Sequence, residues 1–158
     1  MKTIALLLMS AVAFAGDPRP FEGKWALDKK GSKDAQAPGN LVQEIRRQGG
    51  NIVINSKYEQ PKNGVYPMVW LGIMTEKLEL NPDGRQITNT IGPYKYASKT
   101  TVFGNSMVTD WNAVDRPGSV KGQWVRTLND DGKTMTMRVK VNASDGKSYD
   151  RTLLFKKK

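Results

Sequence analysis

The sequence predicts an all-β domain, an antiparallel up-and-down barrel of about eight to ten strands. Three observations predict it. Turn-forming clusters recur at short intervals: Gly49-Gly50-Asn51, Lys62-Asn63-Gly64, Asn81-Pro82-Asp83-Gly84, Gly104-Asn105, Asn129-Asp130-Asp131-Gly132 and Ser144-Asp145-Gly146. They supply Gly, Asn and Asp, the residues that best tolerate positive φ. Between them lie runs of roughly six to nine residues, several alternating apolar and polar with a period of two. Helical periodicity is nearly absent.

Taken in order, Phe21–Asp28 opens the meander, and Lys29–Asn40, with its Gly, Ser, Asp and Pro, reads as a long loop. Leu41–Arg47 reads as a strand, although residues 41–48 could also carry one or two helical turns. Asn51–Tyr58 places Ile52, Ile54, Ser56 and Tyr58 on one face. Val65–Gly72, Glu76–Leu80, Arg85–Ile91, Ala97–Phe103, Ser106–Ala113 and Val120–Leu128 are further strands. Thr134–Val141 is the clearest, with Met135, Met137, Val139 and Val141 on one face and Thr134, Thr136, Arg138 and Lys140 on the other. Ser148–Phe155 groups Tyr149, Arg151, Leu153 and Phe155. A meander of this kind closes as a barrel or splits into a two-sheet sandwich. Short sequential connections favour the barrel, since a sandwich needs long crossovers.

Composition removes whole classes of chemistry. The 158 residues contain no Cys and no His. Disulfide frameworks, thiolate metal sites and thiol nucleophiles are excluded, and so are the usual general base and the commonest transition-metal ligand. Glu44, Glu59, Glu76, Asp110 and Asp115 have no spacing that singles out an acid/base pair. The Asp130-Asp131-Gly132 and Asp145-Gly146 turns lack the alternating oxygens and closing Glu of a calcium loop. The expectation is a non-enzymatic protein with no metal and no cofactor.

The first 15 residues read as a secretory signal peptide: Lys2, an apolar run Ile4–Met9, then Ala13-Phe14-Ala15 as the cleavage pattern. The run is too short to remain as a membrane span, so the domain is residues 16–158. An exported chain without disulfides points to a bacterial periplasmic or secreted protein. The formal net charge is +10, with Lys and Arg scattered along the chain. No basic helix and no aromatic-glycine single-strand motif accompanies it, which argues against nucleic acid. Solubility, or contact with an anionic envelope surface, explains the charge.

Gly23-Lys24-Trp25 at the start of the first strand resembles the lipocalin and calycin signature. The resemblance implies that Trp25 closes one end of the barrel and that a basic residue packs across its indole. Arg151 matches that residue in kind and place, with Arg126 in reserve. Gly23 lets another chain approach closely, and a guanidinium stacks well on an indole face. The stretch Leu128–Thr136 with Asp145-Gly146-Lys147 and Phe155-Lys156 is similar to small exported bacterial proteins of lipocalin-like type. Tyr149-x-Arg151 resembles, in kind, the Arg-and-Tyr pair that holds a ligand carboxylate in the intracellular fatty-acid-binding branch of the calycins.

The candidate ligand-binding residues are Tyr58, Trp70, Trp111, Trp124, Met135, Met137, Tyr149 and Arg151, and the closing residues are Gly23 and Trp25. Each aromatic or Met either fills the core or lines a pocket. Arg151, if inward, is a buried cation that needs an internal carboxylate, the Trp25 indole or a ligand head group. Val65–Met74 is apolar on both faces and carries Pro67, so it reads as a rim over an apolar ligand, as an interface between copies, or as a segment covered by the Lys29–Asn40 loop. Two functions follow. One is a barrel that holds a small apolar or amphipathic molecule. The other is a filled barrel that binds polysaccharide, anionic lipid or protein through its basic exterior. Interior volume discriminates between them.

Overall fold

The computed structural model describes residues 16–64, 68–70, 72–115 and 120–158. Residues 1–15, where the signal peptide is expected, lie outside them, as do Pro67 and part of the expected Val65–Gly72 strand.

Ten strands form one antiparallel sheet. They are β1 (Gly23–Leu27), β2 (Val42–Gln48), β3 (Asn51–Lys57), β4 (Lys77–Leu80), β5 (Ile87–Ile91), β6 (Tyr94–Phe103), β7 (Ser106–Ala113), β8 (Lys121–Leu128), β9 (Thr134–Asn142) and β10 (Ser148–Lys157). Their order is β4-β3-β2-β1-β10-β9-β8-β7-β6-β5, so the chain returns β10 to pair with β1 and the sheet curls into a nearly closed barrel. The expected up-and-down barrel is what the chain forms. Alternation drives it: Met135, Met137, Val139 and Val141 are buried along β9, while Arg138 and Lys140 face water.

β4 and β5 are the two ends of the sheet, and a side chain joins them. Asn89 of β5 accepts from Glu79 N and donates to Glu79 O, both at 2.8 Å. Its amide thus copies a peptide group against the β4 edge. Asn51 Nδ2 donates to Glu79 Oε1 at 2.7 Å and Asn81 Nδ2 donates to Asn51 Oδ1 at 2.9 Å, which ties β3 and the β4–β5 turn into the same polar chain.

The loop after β1 begins with a short helix α1 (Lys29–Ser32), which the sequence does not signal. Asp28 caps it by accepting from Gly31 N at 2.8 Å, and Ser32 Oγ accepts from Leu154 N at 2.8 Å. The expected strand over Val65–Gly72 is not formed across its described part. Met68–Trp70 is a 3-10 turn that carries Val69 and Trp70 into the core, with Ile73 and Met74 following. The buried Val69, Trp70, Ile73 and Met74 therefore belong to a chain folded inward, where strand alternation is not required.

One end of the barrel is a floor. Trp25 is fully buried there and its Nε1 donates to Phe21 O at 2.8 Å. The expected cation over its ring is not Arg151 or Arg126 but Lys157, whose Nζ lies 5.2 Å from the ring centroid. The register explains the exchange, because Trp25 stands opposite Lys157 in β10, six residues beyond Arg151. Gly23 has φ +131° and the Lys157 side chain passes 2.8 Å from where a Cβ would stand, so only glycine fits. The segment Gly16–Phe21 crosses this floor, with Gly16 N donating to Val102 O of β6 at 2.9 Å.

Candidate functional site

The inward positions of β6 to β10 build the wall of the site. Tyr96, Trp111, Trp124, Met135, Met137 and Leu153 are buried there. A chain of rings runs inward from the mouth: Tyr94 to Tyr96 at 6.5 Å, Tyr96 to Trp111 at 5.6 Å, and Trp111 stacked on Trp124 at 5.4 Å and 30°. At the mouth, a cleft of about 640 Å³ opens between the β3–β4 connection and the β5–β6 turn. Tyr58, Trp70, Met74, Ile91, Tyr94 and Tyr96 are among its walls. Gly72 sits against the inner wall: its φ is +77°, and an added Cβ would stand 2.2 Å from Trp124 Cζ2.

A cation lies deeper. Arg126 of β8 has no solvent-exposed surface, and among the described residues its Nε, Nη1 and Nη2 have no hydrogen-bond partner. Its strand neighbours are Met107 in β7 and Met137 in β9. Burial pulls the guanidinium down to a pKa of about 10, so it remains charged at neutral pH. The other inner polar groups are shorter. Gln43 Nε2 donates to Ser56 Oγ at 3.2 Å, leaving Gln43 Oε1 unpartnered, and Thr100 Oγ1 and Thr109 Oγ1 bond each other at 2.9 Å.

The structure brings most of the sequence candidates together. Trp70, Trp111, Trp124, Met135 and Met137 are buried inside the barrel, and Tyr58 and Tyr149 pack partly buried against the same core. Arg151 is different. It shares the inward phase of Leu153 and Phe155, but it sits near the mouth end of β10, half exposed, with Nε 3.5 Å from Asp34 Oδ2 of the loop after α1. The interior cation is Arg126. Its signal was available in the sequence: Trp124, Arg126 and Leu128 share one phase of an alternating strand, which forces Arg126 inward with a Trp and a Leu.

Among the described residues, no three His, Cys, Asp or Glu side chains cluster as metal ligands, and no helix is long and apolar enough to cross a membrane.

No protein-family model matches the sequence, and no curated protein matches it. Solved structures do match. A mutant of the REP1-NXSQ fatty acid transporter superposes with a TM-score of 0.58 at 20% identity, covering 89% of this chain and 99% of that one. Lipid binding protein 8 of Caenorhabditis elegans gives 0.60 at 12% identity, covering 90% and 98%. A secretory abundant heat soluble protein of Ramazzottius varieornatus gives 0.59 at 13% identity, covering 88% and 96%. The likeness extends over nearly the whole of each neighbour and fixes the architecture: this chain has the nearly closed, up-and-down β-barrel fold seen in the fatty-acid-binding proteins.

Proposed function

We propose that this protein is a non-enzymatic carrier of a small amphipathic anion, bound with its apolar body in the barrel mouth and its acidic head at Arg126. The observation that carries the reading is that guanidinium, fully buried and unpaired inside an apolar barrel. A buried charge without a partner is among the most unfavourable features an interior can hold. An anionic head group supplies the missing partner through charge-assisted hydrogen bonds. The mouth cleft provides aromatic and Met surface for the tail, whose burial contributes about 0.8 kcal/mol per methylene. Two of the structural neighbours are named for fatty acid transport and lipid binding, which agrees with this class of guest. Residues 1–15 act, on this reading, as an export signal, and the carrier works in the periplasm or outside the cell. N-terminal sequencing of the exported protein, expected to begin at Gly16, tests that part.

The binding test is a titration of the purified protein with a fluorescent long-chain carboxylate and, separately, with the matching uncharged alcohol. The acid is expected to bind about a hundredfold tighter than the alcohol, and Arg126→Gln is expected to remove the difference. Equal affinity for acid and alcohol would overturn the proposal.

A second reading, a filled barrel that binds anionic surfaces through its exterior, has one observation in its favour. Arg126, Met135, Met137 and Phe155 have no exposed surface, so no water-sized space adjoins them in this form of the protein. Native mass spectrometry separates the two readings. Co-purified lipid supports carriage, and a bare protein mass with salt-sensitive heparin retention supports surface binding.

A further inference from the structure

Among the described residues, the buried side-chain atoms without a hydrogen-bond partner are Gln43 Oε1, the indole Nε1 of Trp70, Trp111 and Trp124, and the three nitrogens of Arg126. Folded interiors keep such groups paired, so a cluster of them calls for an explanation. All but one are donors. They are also ordered in space. In the β7–β8 register, Trp111 stands opposite Gly122, Thr109 opposite Trp124, and Met107 opposite Arg126. The level of Trp111 is thus four residues, about 13 Å of strand, from the level of Arg126. Trp70 stands at the cleft wall. The indole N–H groups therefore stand at successive depths along the line from the mouth to the buried cation, a path closed by packed side chains. The wall itself does not satisfy them: the Thr100 and Thr109 hydroxyls bond each other, and the stack of Trp111 on Trp124 leaves each N–H at a ring edge.

We propose that the guest is an amphipathic acid oxygenated along its chain, whose hydroxyl or carbonyl oxygens accept from the indole N–H groups of Trp70, Trp111 and Trp124 while its carboxylate meets Arg126. This deepens the carrier reading above and rests on it. A plain alkyl chain in the same path leaves three buried N–H groups unpaired. A chain oxygen at the right depth pairs one or more of them, and the cost of stripping water from that oxygen is returned. Selection then follows from satisfying the protein's own donors, a stronger discriminator than fit to an apolar wall.

The test is a matched pair of acids, oleate and ricinoleate, which share length and unsaturation and differ by one mid-chain hydroxyl. Each displaces a fluorescent fatty acid from the purified protein. The expected result is that ricinoleate binds about tenfold tighter than oleate. In a purely apolar path the order reverses, because the hydroxyl loses water and gains nothing. The Trp111→Phe/Trp124→Phe double variant keeps an aromatic ring at each position and removes both N–H groups. It is expected to bind both acids more weakly than the wild type and to lose the preference for ricinoleate. Oleate binding equal to or tighter than ricinoleate binding in the wild type overturns the inference and leaves the anion-carrier reading standing. A preference that survives in the double variant overturns it as well. Failure of both acids to bind the wild type overturns the carrier reading itself.

Discussion

Arg126→Met puts the buried cation to a quantitative test. Arg126 has Met107 and Met137 as its cross-strand neighbours, and its guanidinium has no hydrogen-bond partner among the described residues. Burial pulls its pKa down from the ordinary guanidinium range to about 10. At 1.36 kcal/mol per pKa step, that drop corresponds to about 3 kcal/mol by which the folded state disfavours the charge. The sign follows from proton counting. From about pH 10 up to the ordinary guanidinium range the unfolded chain binds more protons at this residue than the folded one, so stability rises with pH across that window. Below pH 10 both states are protonated and the full penalty acts, so it is present at pH 7. Met has an apolar side chain of similar length. Replacing Arg by it removes the penalty and loses about 1 kcal/mol to imperfect packing. The expected net gain is about 2 kcal/mol in urea unfolding without ligand, or roughly 4–8 °C in Tm. The same variant is expected to lose at least about a hundredfold in affinity for a long-chain carboxylate. Stability and binding thus move in opposite directions. A variant less stable than the wild type by 1 kcal/mol or more would show that the guanidinium is paired in solution. Undiminished carboxylate affinity would remove it from the site.

Gly72→Ala forces a Cβ into Trp124 at a φ of +77°, and urea unfolding is expected to show a loss of about 3 kcal/mol. Asn89→Leu removes both bonds to Glu79, so the Glu79 amide is expected to exchange at least tenfold faster with deuterium while amides in β8 and β9 keep wild-type protection. Asp28 is held below its ordinary 3.8 by Lys156 and by the Gly31 amide. Its folded-state pKa is depressed, so its contribution is full above the unfolded value and lost as pH falls through the folded one. The Asp28→Asn variant is accordingly expected to show a smaller stability decrease than the wild type between pH 5 and pH 2, measured by urea titration at each pH.

The sequence made the barrel legible because its strands have one wet face. Thr134–Val141 alternates cleanly and β9 follows its bounds within a residue, while the Ser106–Ala113 bounds match β7. Pairing of the last strand with the first was legible only through Trp25 and Gly23, whose roles need a chain crossing close by. The segment Val65–Gly72 misled for a physical reason. Burial on all sides erases alternation, and a short apolar run does not distinguish a strand from a turn pushed into the core. Arg151 and Arg126 lie on inward phases of their strands, and sequence cannot say how deep each sits. That depends on Asp34, which the loop after α1 brings to Arg151 at 3.5 Å, while no acid reaches Arg126.

On the carrier reading, this difference in depth decides which arginine meets the acid. Arg151 already has a carboxylate at 3.5 Å and is half in water, so an incoming acid gains little from it. The fold itself keeps Arg126 out of water. A guest that reaches it meets a cation already stripped of water and loses water only from its own head group. The barrel is therefore preorganised electrostatically even though its inner end is packed. Access is then the remaining requirement, and it falls on the Trp70–Met74 turn, which walls the cleft on one side and presses Gly72 against Trp124 on the other. A guest that pairs Arg126 relieves the burial of its charge, and that relief favours its entry past the turn. An uncharged molecule of the same shape brings no such relief, and this asymmetry makes the acid-over-alcohol ratio the decisive measurement for the site.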